Sequence, residues 1–217
     1  MIRLSFDDAA DRLEKMIRAE SNGMAHYYVG IDGLSGSGKS TLADELARRL
    51  SAFVIRTDDF YLPLRKRTPD RKKNPGWNID HERFTEEVAR PFLSKKLPSY
   101  GVYNCKIGGI VGRVDVPERE VYLIEGSYAL HPEIPDFYDL RVVLHEDKAV
   151  CRQRILEREG AEKLARFDDE WFPLEEEYLS AYMIEEFCDV LISHESDPED
   201  NDGFSGFTLP LSLGGPT

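Results

Sequence analysis

Gly33-Leu-Ser-Gly-Ser-Gly38-Lys39-Ser40-Thr41 decides how the rest of this chain is read. Its spacing is G-x-x-x-x-G-K-[ST]. Glycines in that pattern let successive backbone N–H groups turn inward around phosphate oxygens. Lys39 is placed to reach the β and γ phosphates of a nucleoside triphosphate, and the Ser40 hydroxyl to bind Mg²⁺. Such a loop works between a strand and a helix. Tyr27-Tyr-Val-Gly-Ile-Asp32 before it is a short apolar strand. After it, Leu42, Leu46 and Leu50 recur every fourth residue, which is a helical period. That helix points its partially positive N-terminus at the same anion. The candidate nucleotide-binding set is Gly33, Ser35, Gly36, Ser37, Gly38, Lys39, Ser40 and Thr41.

Working outward, four more short apolar runs read as strands: Phe53-Val-Ile-Arg56, Val121-Tyr-Leu-Ile124, Leu140-Arg-Val-Val-Leu144 and Val190-Leu-Ile192. Helices are predicted over residues 5–20, 81–96 with a kink at Pro91, 147–159 and 174–187. Strands alternating with helices predict an α/β fold of three layers, a five-stranded parallel sheet with helices on both faces. The expected organisation is one P-loop domain over residues 1–200. It has an N-terminal helix within residues 1–22 and an irregular tail over residues 201–217 rich in Gly and Pro.

Composition narrows the function. The 217 residues carry 28 Lys and Arg against 41 Asp and Glu, a net charge of −13. A chain this acidic is a poor partner for a nucleic-acid backbone, which needs clustered positive charge. The acidity is local: residues 167–217 hold 14 acids and no Lys or Arg, leaving 27 acids against 28 bases in residues 1–166. One basic run, Arg65, Lys66, Arg67, Arg71, Lys72 and Lys73, surrounds only Asp70. No apolar run approaches the roughly 20 residues of a membrane-spanning helix, and the first residues lack a secretory h-region. Cys105, Cys151 and Cys188 are far apart and form no CxxC, which reads as reduced thiols in the cytoplasm and no structural zinc.

In a parallel α/β sheet, ligands gather at the carboxyl ends of strands. Two acidic sites fall there: Asp58-Asp59 after the second strand and Glu125 after the third. Phosphoryl transfer to an alcohol needs one carboxylate to take or orient the hydroxyl proton and another to hold the Mg²⁺ shell. Asp58 or Asp59 suits the first task, Asp58 being favoured, and Glu125 the second with Ser40. Asp32, just before the loop, reads as structural.

These elements together resemble a family. Gly33–Thr41, Asp58-Asp-Phe-Tyr61, Trp77-Asn-Ile-Asp80-His81, Leu123-Ile-Glu-Gly126 and the Arg-rich stretch 152–158 occur in the order found in uridine kinase-like P-loop kinases. That group includes uridine/cytidine kinases, phosphoribulokinase and bacterial pantothenate kinase. The resemblance spans roughly residues 27–195. It implies ATP and Mg²⁺ as cofactors and Asp58 as the catalytic acid of D-x-F-Y. It also implies Tyr61, Asp80, His81 and Tyr103 on the acceptor side. A lid at residues 151–167, with Arg152, Arg154 and Arg158, would supply the arginines that neutralise the transferring phosphoryl. The implied partner is a small-molecule acceptor, a nucleoside first; pantothenate, a sugar phosphate or a glycerate-like acid is the alternative, and a slow nucleotide switch a third reading. Uridine kinases usually follow the tyrosine with an aromatic residue and a histidine. Here Asn104-Cys105-Lys106 follows Tyr103, so neither is present. Trp171-Phe-Pro-Leu-Glu175 resembles an element of little-characterised bacterial relatives. Whether a second copy of the chain is also a partner stays open.

Overall fold

The structure, a computed structural model, describes residues 1–193; the expected tail at residues 201–217 lies outside the described residues. The chain runs β1 (Ile2–Ser5), α1 (Ala9–Glu20), β2 (Tyr27–Gly33), α2 (Lys39–Leu50) and β3 (Phe53–Arg56). A broken helix follows over residues 81–93. Next come β4 (Ser99–Asn104) and β5 (Gly109–Asp115), then β6 (Val121–Glu125) and β7 (Leu140–Leu144). The described part closes with a helical stretch over residues 148–181 and β8 (Val190–Ser193).

The main sheet has six strands in the order β1-β8-β7-β2-β6-β3, and every pairing in it is parallel. The expected five strands are all present. The sixth is β1, which lies at the edge beside β8 with Ile2 opposite Val190. The expected N-terminal helix therefore starts later, at Ala9, because Ile2-Arg-Leu-Ser5 is taken up by the sheet. Its buried face is Ala9, Leu13 and Ile17. Ile2-Arg-Leu-Ser5 interrupts its apolar residues with polar ones, so it lacks the continuous apolar run by which the other short strands are read.

Side chains alternate between two cores. Val121 and Leu123 of β6 join α1 and α2 on one face, while Tyr122 and Ile124 point to the other face with Phe84, Val88 and Phe92. A strand covered on both faces carries a continuous apolar run, and all five residues of β6 are buried. The helix expected over residues 81–96 ends at Leu93 and contains a π turn, Thr85–Ala89, in which the Arg90 N–H reaches the Thr85 carbonyl. Pro91 lacks the N–H that would bond the Glu87 carbonyl, so the ladder shifts register just ahead of it. β4 and β5 form a separate antiparallel hairpin beside the sheet that the sequence patterning does not reveal.

β2 pairs with β6 on one side and β7 on the other. The chain passes from β2 to β3 in one direction and reaches β7 and β8 in the other. The crevice at this switch point, beyond the carboxyl end of β2, is where an open α/β sheet receives a ligand. The phosphate loop sits there.

Candidate active site

Gly33, Gly36 and Gly38 all have positive φ, at +140°, +85° and +105°. A Cβ on Gly33 would lie 2.4 Å from the Leu144 carbonyl oxygen, and one on Gly36 would lie 2.7 Å from that of Cys151. The loop is thus wrapped against β7 and the following helix, leaving the N-terminus of α2 open at Lys39 without a side-chain cap. An open helix N-terminus preceded by glycines in this conformation fits a phosphate group. Lys39 is buried, and its Nζ donates to the carbonyls of Gly33 at 2.9 Å and Leu34 at 2.8 Å. Asp32 holds the base of the loop. Its carboxylate, fully buried, accepts from the N–H groups of Gly33, Tyr128 and Leu130 and from the Tyr178 hydroxyl at 2.8 Å. The structural reading of Asp32 agrees with this geometry.

Ser40 and Glu125 meet as expected: the Ser40 Oγ lies 3.2 Å from Glu125 Oε2. Burial raises the Glu125 carboxyl above the ordinary range, opposed by the nearby Arg56 and Lys39 charges. Arg56 pairs with Glu125 and, at 2.7 Å, with Asp44. Hard oxygen donors in this number fit Mg²⁺, which is commonly held by one or two protein oxygens plus substrate phosphates. Ser40 and Glu125 are the residues that would hold it.

A cleft of about 590 Å³ opens on the acceptor side of the loop. Ser35, Asp58, Tyr61, Tyr103 and Arg158 all line it, from four separate segments of the chain. Asp58 is exposed there, at the start of a 3₁₀ turn over Thr57–Phe60. Asp59 is half-buried, and its carbonyl accepts from Arg83. Burial, and then the Asp58 charge, push the Asp59 carboxyl up. Of the two acids, Asp58 faces the cleft. The Tyr61 hydroxyl is held well above its usual pKa by burial and by Asp58.

The turn that carries Asp58 is fixed by Gly126. Its φ is +134°, and a Cβ there would lie 2.1 Å from Thr57 Oγ1. Gly126→Ala is expected to lower stability by about 1–3 kcal/mol, the usual cost of overpacking, read as a reduced urea midpoint.

Four candidate residues sit differently from their expected places. Arg154 lies on the far side of the loop, lining a separate cavity of about 420 Å³ with Ser37, Gly38 and Thr41. It bonds the Gly36 carbonyl at 3.1 Å and pairs with Glu146 at 2.9 Å. Asp80 is buried, caps the helix at Arg83 N–H and binds Lys66 through both oxygens at 3.0 Å. His81 stacks on His131 with ring centroids 5.0 Å apart, and His131 in turn stacks on Tyr178. Neither Asp80 nor His81 is among the residues lining the cleft. Both positions support its wall, because the cap and the ring stack turn the two side chains inward. Arg152 pairs with Asp168 at 2.6 Å, away from the cleft.

The stack makes a pH prediction. His131 is pressed down to about 4, by burial first and then by the neighbouring His81. Between that value and the ordinary 6.5 the unfolded chain binds a proton that the folded chain does not, so stability rises with pH. The His131 contribution is present above 6.5 and is lost as pH falls toward 4. His131→Gln is expected to flatten the slope of the urea midpoint against pH across this window.

The cleft also gathers residues outside the candidate site set. Trp77, Asn78, Arg67 and Lys106 line it on the acceptor side, Lys163 and Arg166 from the lid segment, and Trp171 just beyond it. Half of the basic run is spent locally: Lys66 on Asp80, Arg71 on Glu82, Lys73 on Asp70. Of that run, Arg67 reaches the cleft. Glu175 is the largest surprise. It is buried between the loop and the helix Phe172–Ala181, and burial raises its carboxyl. Three consecutive glutamates, 175–177, gave no sign of which one faces inward. The only available signal is spacing, since Phe172, Glu175 and Tyr178 recur every third residue and all are buried.

Comparison with known proteins agrees with this geometry. Residues 29–100 match a family described as an AAA domain. The chain is 30% identical over 222 residues to uridine-cytidine kinase C of Dictyostelium discoideum, covering 97% of this chain and 47% of that protein. It thus spans about half the length of that relative. It is 29% identical over 151 residues to a uridine kinase of Ureaplasma parvum, covering 64% of this chain and 71% of the relative. A solved structure described as a possible uridine kinase from Bacillus stearothermophilus superposes with a TM-score of 0.66 at 23% identity, covering 86% of this chain and 98% of that one. The chain has the parallel α/β fold of the P-loop kinases, and its resemblance to uridine kinase-like P-loop kinases holds in sequence and in fold. Among the described residues, no helix is long and apolar enough to cross a membrane.

Proposed function

We propose that this chain transfers the γ-phosphoryl group of ATP to a hydroxyl of a small molecule, with a nucleoside as the acceptor. The observation that carries the reading is the shared cleft: Ser35 of the phosphate loop and Asp58 face one space, with Lys39, Ser40 and Glu125 behind the loop. In this reading Lys39 leaves the Gly33 and Leu34 carbonyls and turns to the β and γ phosphates. The loop N–H groups and the α2 N-terminus hold the phosphates in line. Mg²⁺ held by Ser40 and Glu125 supplies charge neutralisation. Asp58 takes the acceptor hydroxyl proton as the bond to phosphorus forms. Arg158, paired with Glu159 at 3.1 Å at the cleft edge, turns to the transferring group. Tyr61 and Tyr103 border the acceptor, and Trp77, with Arg67 and Lys72 over its ring, lines the same cleft.

The nucleoside assignment is supported by the relatives' names. One observation favours a second acceptor class: Arg67 and Lys106 line the acceptor end of the cleft, which suits an acceptor carrying an anionic group. Transfer of label from γ-labelled ATP separates the two. Label on uridine or cytidine supports the nucleoside reading. Label on pantothenate, ribulose 5-phosphate or glycerate, with none on nucleosides, replaces it with the second.

A further inference from the structure

We propose that Glu175 is a positioning residue for the transfer, tying the acceptor-side turn of the phosphate loop to the segment that carries Asp58; this rests on the kinase reading above. Its Oε2 accepts from the Ser35 N–H at 2.7 Å. Its Oε1 accepts from the Ser35 hydroxyl at 2.6 Å and from the Ser127 hydroxyl at 2.9 Å. The Ser127 carbonyl accepts in turn from Thr57 Oγ1 at 3.0 Å, and Thr57 directly precedes Asp58. One carboxylate therefore joins the loop, the turn after β6 and the start of the Asp58 turn.

Packing alone does not call for an acid here. Burying a carboxylate is costly unless donors meet it, and an apolar side chain of similar volume serves a purely structural role as well or better. The helix already has a second anchor, the Tyr178 hydroxyl on Asp32 at 2.8 Å. What Glu175 adds is direction. It fixes the orientation of the Ser35 N–H and the distance from that turn to Asp58, and both face the cleft where the phosphoryl group passes. A misplacement of about 1 Å in such a frame costs about 10²-fold in rate.

The test compares Glu175→Ala, Glu175→Gln and Glu176→Gln, using uridine and cytidine as acceptors. Glu175→Ala is expected to lower kcat about 10²-fold, with KM for ATP within about threefold of wild type, the pattern of an interaction made in the transition state. Glu175→Gln keeps an acceptor at the same reach and recovers a large part of the loss. Glu176→Gln removes the neighbouring carboxylate of the same helix, which pairs with Lys148 at 2.9 Å away from the cleft, and leaves kcat within about threefold. In parallel, amide hydrogen exchange at Ser35 speeds up about tenfold in Glu175→Ala, the size of a lost hydrogen bond to a charged group. A kcat loss shared by Glu176→Gln overturns the proposal, as does a Glu175→Gln variant no better than Glu175→Ala. If wild type labels no acceptor, the kinase reading fails instead. The Ser35 exchange then decides the link itself, and unchanged exchange overturns it.

Discussion

Lys39→Ala is expected to lower kcat by about 10³-fold, the upper range for losing one preorganised donor to developing charge. The ammonium stands among three buried carboxylates, Asp32, Glu125 and Glu175, and its charge opposes the burial-driven rise of each. Before substrate arrives it is held by the Gly33 and Leu34 carbonyls. Removing it leaves those two carbonyls without their donor and the three acids without their common counter-charge. The variant should therefore lose stability as well as rate, and the two effects need separating by a urea midpoint measured beside the kinetics. Lys39→Arg should not restore the rate. The guanidinium is a planar fork, larger than the compact ammonium that fits the turn.

Asp58→Asn is expected to cost about 10²–10⁴-fold in kcat, the contribution of a positioned general base, while KM for ATP changes little. Asp58 is exposed to the cleft, so its loss should leave folding intact. Asp59→Asn is the internal control. Asp59 lies half-buried beside Arg83 and is not among the residues lining the cleft, so its amide should keep kcat within about threefold. Reversal of the two effects would move the base role to Asp59. Equal, small effects would remove it from both.

The loop was legible because its chemistry demands glycines at fixed positions. The strands β2, β6, β7 and β8 were legible because burial on both faces forces short apolar runs, and β3, only partly buried at the sheet edge, through its Phe-Val-Ile run. β1 was hidden because Ile2-Arg-Leu-Ser5 offers no continuous apolar run, and β5 by its exposure, since much of Gly109–Asp115 faces solvent and carries no apolar alternation. At the site, motif order placed Lys39, Ser40, Asp58 and Glu125 together, as the geometry has them. The side chains of Asp80 and His81 are instead engaged by Lys66, by the Arg83 N–H and by the His131 ring, and neither lines the cleft. The Arg83 cap is local, but Lys66 and His131 lie 14 and 50 residues away, where no local pattern announces them. Glu175 was illegible for the same reason: its partners, Ser35 and Ser127, are 140 and 48 residues away.

The central claim is that the cleft organises an alcohol for the phosphoryl group. The most direct measurement is Mg²⁺-dependent ADP release from ATP by the wild-type chain, with and without uridine or cytidine. The account predicts little release alone, because a kinase cleft keeps water from the reacting group, and strong stimulation when the acceptor is added. Steady release that no acceptor changes would contradict it.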